Sequence, residues 1–189
     1  VRLVLATANP DKVAEIAALL SAVHLAPRPP ELPDVEESGS TLEENARLKA
    51  RAVRDATGEA AVADDTGLEV AALGGAPGVR SSRYAGEDAS YADNVAKLLA
   101  AMEGAGDRRA RFRTVALASY PDGREVVAEG VVDGLITEEP RGDGGFGYDP
   151  VFAPDDGGGR TYGEMTSEQK NALSHRARAF RELAALLGP

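Results

Sequence analysis

Apolar and polar positions along the chain follow two periods, and their order predicts strands interleaved with helices. Arg2 to Thr7 is rich in leucine and β-branched residues, suits a buried strand, and runs into Asn9-Pro10-Asp11-Lys12. Asn9 is a good N-cap and Pro10 a good first helical residue, so a helix follows that should bury Val13, Ile16, Ala17 and Leu20. Ser40 and Glu43 form a capping box opening a second helix to about Thr57, which Gly58 ends. At about 100° per residue, Leu42, Ala46, Val53 and Ala56 share one side, and Glu43, Arg47, Arg51 and Arg54 face water. Asn45 and Lys49 fall on the apolar side, where polar groups must find partners.

Ala60 to Ala63 reads as a strand delivering Asp64, Asp65, Thr66 and Gly67 at its end, with Leu68 to Ala72 apolar again. Asp88 to about Met102 is a third helix. Arg111 to Tyr120 and Arg124 to Glu129 form a hairpin about Pro121-Asp122-Gly123, and Val131 to Ile136 is a further strand. Thr166 and Gln169 make a second capping box, opening a last helix with the stripe Leu173, Ala177, Phe180, Ala184 and Leu187; His175 lies off it. Strand-helix units mixed with antiparallel pairing predict an α/β fold with a mixed central sheet and flanking helices. No repeat or linker interrupts it, so residues 1–189 read as a single domain.

Composition narrows the chemistry. The absence of cysteine excludes disulfides, thiolate zinc sites and a thiol nucleophile, and two histidines cannot build a three-histidine metal site. Any metal must use oxygen ligands, which points to magnesium, manganese or calcium. A formal charge of -10 argues against nonspecific nucleic-acid binding but leaves room for a locally basic pocket. The only lysines are Lys12, Lys49, Lys97 and Lys170. The uncharged run Val70 to Val79 is too short and too broken by glycine and proline to span a bilayer, and the opening residues lack a signal peptide's apolar stretch. A cytoplasmic protein with no membrane partner is expected.

Four segments carry candidate chemistry. The turn Thr7-Ala8-Asn9-Pro10-Asp11-Lys12 sets free helix-start amides beside a hydroxyl, an amide and a lysine, a phosphate-attracting arrangement that an ordinary capped helix also presents. Acids gather at Glu36, Glu37, Asp64 and Asp65; the two adjacent Asp repel each other unless a cation intervenes or one caps a turn. The loop Arg141 to Pro150 embeds Phe146 and Tyr148 among four glycines, where a ring could stack on a base or simply pack, and it fits neither a P-loop nor a dinucleotide fingerprint. Lys170, Ser174, His175 and Arg176 cluster near the last helix.

In chain order, Thr-x-Asn-x-x-Lys, Glu-Asn-Ala-x-x-Lys-Ala, Ala-Asp-Asp-Thr-Gly-Leu, Gly-Gly-Ala-Pro-Gly, Gly-Gly-Phe-Gly-Tyr-Asp-Pro and Ser-His-Arg resemble the inosine triphosphate pyrophosphatase family, from Arg2 to Leu187. One departure is Ala8, where the family usually has glycine. The resemblance implies two lobes around a nucleotide-binding cleft, a homodimer, and hydrolysis of ITP, dITP and XTP to the monophosphate and pyrophosphate with Mg2+. It implies that Thr7, Ala8, Asn9, Pro10, Asp11, Lys12 and Lys49 hold the triphosphate. Asp65 would be metal ligand and proton acceptor, Glu37 the second metal carboxylate, Asp64 a further ligand, and Thr66 a nucleotide contact. Phe146 would stack on the purine, with Gly147, Tyr148, Asp149, Lys170, His175 and Arg176 lining the pocket. Donors from His175 and Arg176 would suit a 6-oxo purine and reject adenine, a mismatch on the order of 10⁴ in discrimination. A purine-binding module without turnover, and a phosphatase releasing single phosphates, are the competing readings.

Overall fold

The computed structural model describes residues 2–21 and 23–188. Strands β1 (Arg2–Leu5), β2 (His24–Ala26), β3 (Ala61–Val70), β4 (Pro77–Gly78), β5 (Arg109–Ser119), β6 (Glu125–Ile136) and β7 (Phe152–Pro154) form one mixed sheet ordered β2-β1-β3-β5-β6-β7, with β4 on β3. β1 is parallel to β2 and β3, whereas β3–β4 and β6–β7 are antiparallel. The helices are α1 (Pro10–Leu19), α2 (Leu42–Thr57), α3 (Tyr91–Ala101), α4 (Ser167–Leu173) and α5 (His175–Leu187). Among the described residues no helix is long and apolar enough to cross a membrane.

The chain divides into two compact units. The first holds residues 1–65, 114–130 and 176–189, and its core joins Leu3 and Leu5 of β1, Ile16 and Leu20, Val62, and Phe180 and Leu183 of α5. The second holds residues 66–113 and 131–175, around Leu68, Leu98, Met102, Phe112, Phe152 and Tyr162. Strands β3, β5 and β6 contribute residues to both.

Several local expectations need correction. The α2 capping box is Thr41 with Glu44, one residue later than predicted; two successive hydroxyls and two successive glutamates make either register available, and Ser40 also donates to Glu44. Gly58 closes the helix in the left-handed conformation, as expected. Ala17 and Ala56 are exposed, because the buried stripes run through Ile16 and Leu20 and through Leu42, Ala46, Ala50 and Val53. Of the charges assigned to water, Arg51 is exposed as expected while pairing with Glu125, whereas Arg47, also on Glu125, and Arg54, donating to Ser119, are partly buried. Strand β6 continues through Gly130 rather than splitting. The last helix is two helices: Ser174 is extended (φ -72°, ψ 157°), and its amide caps Lys170. That break turns His175 and Arg176 inward, where both are buried.

Candidate functional site

In the first unit, β1 ends at Leu5, and its last registered partner on β3 is Val62. Asp64 and Asp65 therefore stand beyond the carboxyl end of β1, beside the start of α1, on a strand that continues through them. Carboxyl ends of parallel strands are where open α/β sheets bind ligands. Successive strand residues face opposite sides, so the two aspartates do not compete for one space. Lys12 and Arg176 contact Asp64 and Lys49 contacts Asp65, and each lysine also acts electrostatically on the other aspartate, which is why β3 tolerates them.

Asp64 Oδ2 lies 3.2 Å from Lys12 Nζ on α1 and 3.2 Å from Arg176 Nε on α5. Arg176 NH1 also pairs with Glu15. Burial alone would raise the Asp64 pKa, but Lys12 and then Arg176 outweigh it and hold the carboxyl well below its usual range. Burial in turn lowers Lys12, partly offset by Asp64.

Asp65 faces α2. Lys49 Nζ sits 2.8 Å from Asp65 Oδ1 and 2.9 Å from Glu37 Oε1, and Asn45 Nδ2 donates to Asp65 Oδ2 at 3.3 Å. Asn45 Oδ1 accepts from Gly39 N–H at 2.8 Å. Burial, reinforced by Glu37 and opposed by Lys49, raises the Asp65 pKa above its ordinary value. Lys49 is lowered by burial but raised more by Asp65 and Glu37.

At the start of α1, Asn9 Oδ1 accepts from the amides of Asp11 (2.9 Å) and Lys12 (3.4 Å), and Asn9 N–H donates to Thr7 Oγ1 at 3.1 Å. The helix-start amides expected to be free are thus engaged by the cap's own side chain. Ala8 takes no left-handed backbone, since no described residue other than glycine has a positive φ.

Two carboxylates on one ammonium are a donor set that fits magnesium, which binds through one or two carboxylates plus water and phosphate oxygens. Among the described residues no three acidic or histidine side chains converge as a metal cage. Asp64 meets Lys12 and Arg176 through Oδ2.

In the second unit, the loop from Arg141 to Pro150 is folded on itself. Asp149 Oδ2 accepts from Phe146 N–H at 2.9 Å and from Lys170 Nζ at 2.6 Å. Gly145 has φ +68°, and a Cβ there would lie 2.0 Å from Asp149 Oδ2, so glycine is required. Lys170 Nζ stands 4.6 Å over the Phe146 ring, and Tyr91 of α3 lies 5.9 Å from that ring between centroids. A cavity of about 440 Å³ opens between α3 and this loop, lined by Tyr91, Val95, Leu99, Phe146, Gly147 and Pro150. The Tyr148 hydroxyl donates to Ser81 O at 2.7 Å, and burial raises its pKa. His175 is stacked on Phe112 at 4.4 Å. Thr66 follows Asp65 on β3, in the second unit.

The first unit thus joins Asp64, Lys12 and Arg176 through one set of direct contacts and Asp65, Lys49 and Glu37 through another, and Lys12 and Lys49 are near enough to act on each other. The second joins Phe146, Asp149 and Lys170. Arg176, expected beside His175 at a base, donates Nε to Asp64 and pairs through NH1 with Glu15. Glu15 escaped the sequence reading; its position three residues after Lys12, on the same helical face, was the available signal. Asn45 stands out in the sequence by its place on an apolar face and within Glu-Asn-Ala-x-x-Lys-Ala.

Fold and site define a mixed α/β protein whose acidic strand residues are matched by buried lysines and arginine, a constellation suited to a metal-bound phosphate ligand. The chain belongs to the Ham1 family, whose model matches residues 3–186. It is 46% identical to a dITP/XTP pyrophosphatase of Streptomyces coelicolor, over 98% of this chain and 96% of the relative. It is 49% identical to one of Nitratidesulfovibrio vulgaris, over 97% and 94%. The solved HAM1 protein from Coxiella burnetii superposes with a TM-score of 0.90 at 42% identity, covering 99% of this chain and 98% of that one.

Proposed function

We propose that the protein hydrolyses dITP, ITP and XTP to the nucleoside monophosphate and pyrophosphate, with magnesium held by Asp65 and Glu37. The observation that carries this reading is the pair of carboxylates on Lys49, next to Asp64, which holds Lys12 of α1. The names of the relatives, matched over nearly their full length, support the substrate class. When bound, magnesium would screen the triphosphate from the acids and stabilise charge on its oxygens.

Lys12 and Lys49 bind the phosphates. Asp65, made more basic by burial and by Glu37, takes a proton from the water whose oxygen attacks the α-phosphorus, and the bond from that phosphorus to the bridging oxygen breaks as pyrophosphate leaves. Asp64 holds Lys12 and Arg176 in place from the opposite face of β3. In the second unit, Phe146 stacks on the purine, and donors of Lys170 and His175 read a 6-oxo group.

Incubation with dITP and magnesium should release pyrophosphate. Orthophosphate instead would indicate a phosphatase, and tight binding without product a sensing module. Asp65→Asn should lose at least about 10²-fold in kcat, as expected when general base catalysis is removed, while still binding dITP. Retained turnover would remove Asp65 from the chemistry.

A further inference from the structure

The two oxygens of Asp65 are held differently. Oδ2 accepts from Asn45, a wholly buried amide whose own oxygen is fixed by Gly39 N–H. Turning that amide over would set N–H against N–H at Gly39 and oxygen against carboxylate at Asp65, so its orientation is determined by its partners. The turn is packed against it: a Cβ on Gly39 would lie 2.6 Å from Asn45 Oδ1. Oδ1 is held by Lys49 alone of these groups, and the same ammonium holds Glu37 Oε1.

We propose that Asn45 is a positioning residue that leaves Asp65 Oδ1 as the oxygen for a divalent cation, so that the cation and the Lys49 ammonium compete for it and the cation's binding hands Lys49 over to phosphate. This rests on the assignment of Asp65 and Glu37 as cation ligands. An ammonium with little access to water does not leave a carboxylate without another anion to meet, and the Lys49 side chain is 12% exposed and that of Asp65 7%, with Glu37 half-buried at 23%. A triphosphate supplies that anion. Cation alone must displace Lys49 uncompensated, whereas cation with nucleotide exchanges one ion pair for another. Lys49 thereby makes cation binding depend on substrate.

The test is titration of the intact protein with magnesium alone at pH 8, by calorimetry and without nucleotide. Lys49→Met should bind magnesium at least about tenfold tighter than wild type, a change equal to the loss of one modest charge-assisted contact from the competitor, while its affinity for dITP falls. Asn45→Leu, which opens Oδ2 to the cation, should also tighten magnesium binding, and adding Lys49→Met to it should give less than about threefold more, a coupling characteristic of residues acting on one partner. Wild-type protein labelled with ¹⁵N-lysine gives a second readout that needs no variant, since the chain has only Lys12, Lys49, Lys97 and Lys170. Magnesium should move the Lys49 ammonium resonance and leave that of Lys97 in place.

Unchanged or weaker magnesium binding by folded Lys49→Met, or a Lys49 resonance unmoved at saturating magnesium, overturns the proposal. If melting curves show the variants unfolded, the wild-type spectrum decides. Pyrophosphate release from dITP by wild type is assayed in parallel: its absence refutes the proposed reaction, and the magnesium titrations still report whether cation and ammonium share an oxygen.

Discussion

Replacing Asp64 with Asn keeps the side chain's shape and removes its charge. The Asp64 side chain is 0% exposed and meets two cations through one oxygen, Lys12 at 3.2 Å and Arg176 at 3.2 Å, with the Arg176 side chain 2% exposed. The variant leaves Lys12 and Arg176 with Glu15 as the remaining acid of this group. Removing one partner from a buried ion pair costs about 3–5 kcal/mol, because the surviving charge stays desolvated. With a urea m-value of about 2 kcal/mol per M, the midpoint should fall by about 1.5–2.5 M at unchanged m. Glu15→Gln should cost less, about 1–2 kcal/mol, since Arg176 keeps Asp64. The double variant should depart from the sum of the singles by more than about 0.5 kcal/mol, as residues in one network do. A loss below about 1 kcal/mol for Asp64→Asn at unchanged m would show that water already reaches these charges, and the reasoning would fail.

Three further outcomes are expected. Gly145→Ala, at φ +68° with a Cβ pressed against Asp149, should destabilise by at least about 2 kcal/mol, whereas Gly123→Ala, at φ +87° in open space, should cost about 1 kcal/mol; equal losses in denaturation would refute the packing argument. Phe146→Ala should raise the dITP dissociation constant by about 5- to 100-fold, the worth of one stacked base, and an unchanged constant would place the purine elsewhere. Glu125→Gln should lose about 1 kcal/mol at pH 7. Burial raises the Glu125 pKa, but Arg51 and Arg47 outweigh it, so the folded value lies below the ordinary 4.5. Its stabilising contribution is therefore full above the unfolded pKa and is lost as pH falls through the folded one; wild type and variant should converge in urea melts under acid, and a gap that persists there would exclude the ion pairs as its source.

Local rules legible in the sequence determined much of this protein. Asn9-Pro10 starts α1, Gly58 ends α2, Thr166 with Gln169 opens α4, and the Pro121–Gly123 turn joins β5 to β6, because capping and turn chemistry act between residues a few positions apart. Helical spacing also set Asn45 and Lys49 on an apolar face. What those two residues touch was decided by tertiary structure, which brings Asp65 from a strand twenty positions beyond Asn45. The same holds for Arg176: periodicity along one long helix left it unplaced, and the break at Ser174 together with Asp64, far back in the chain, buried it as half of an ion pair. Two adjacent aspartates read as mutual repulsion along the chain; the pleat of β3 sends them to opposite faces, where Lys12 of α1 and Arg176 of α5 meet Asp64 and Lys49 of α2 meets Asp65. Burial and opposite charge act through space at about 3 Å, and no pattern of neighbours in sequence encodes which distant residue will arrive at that distance.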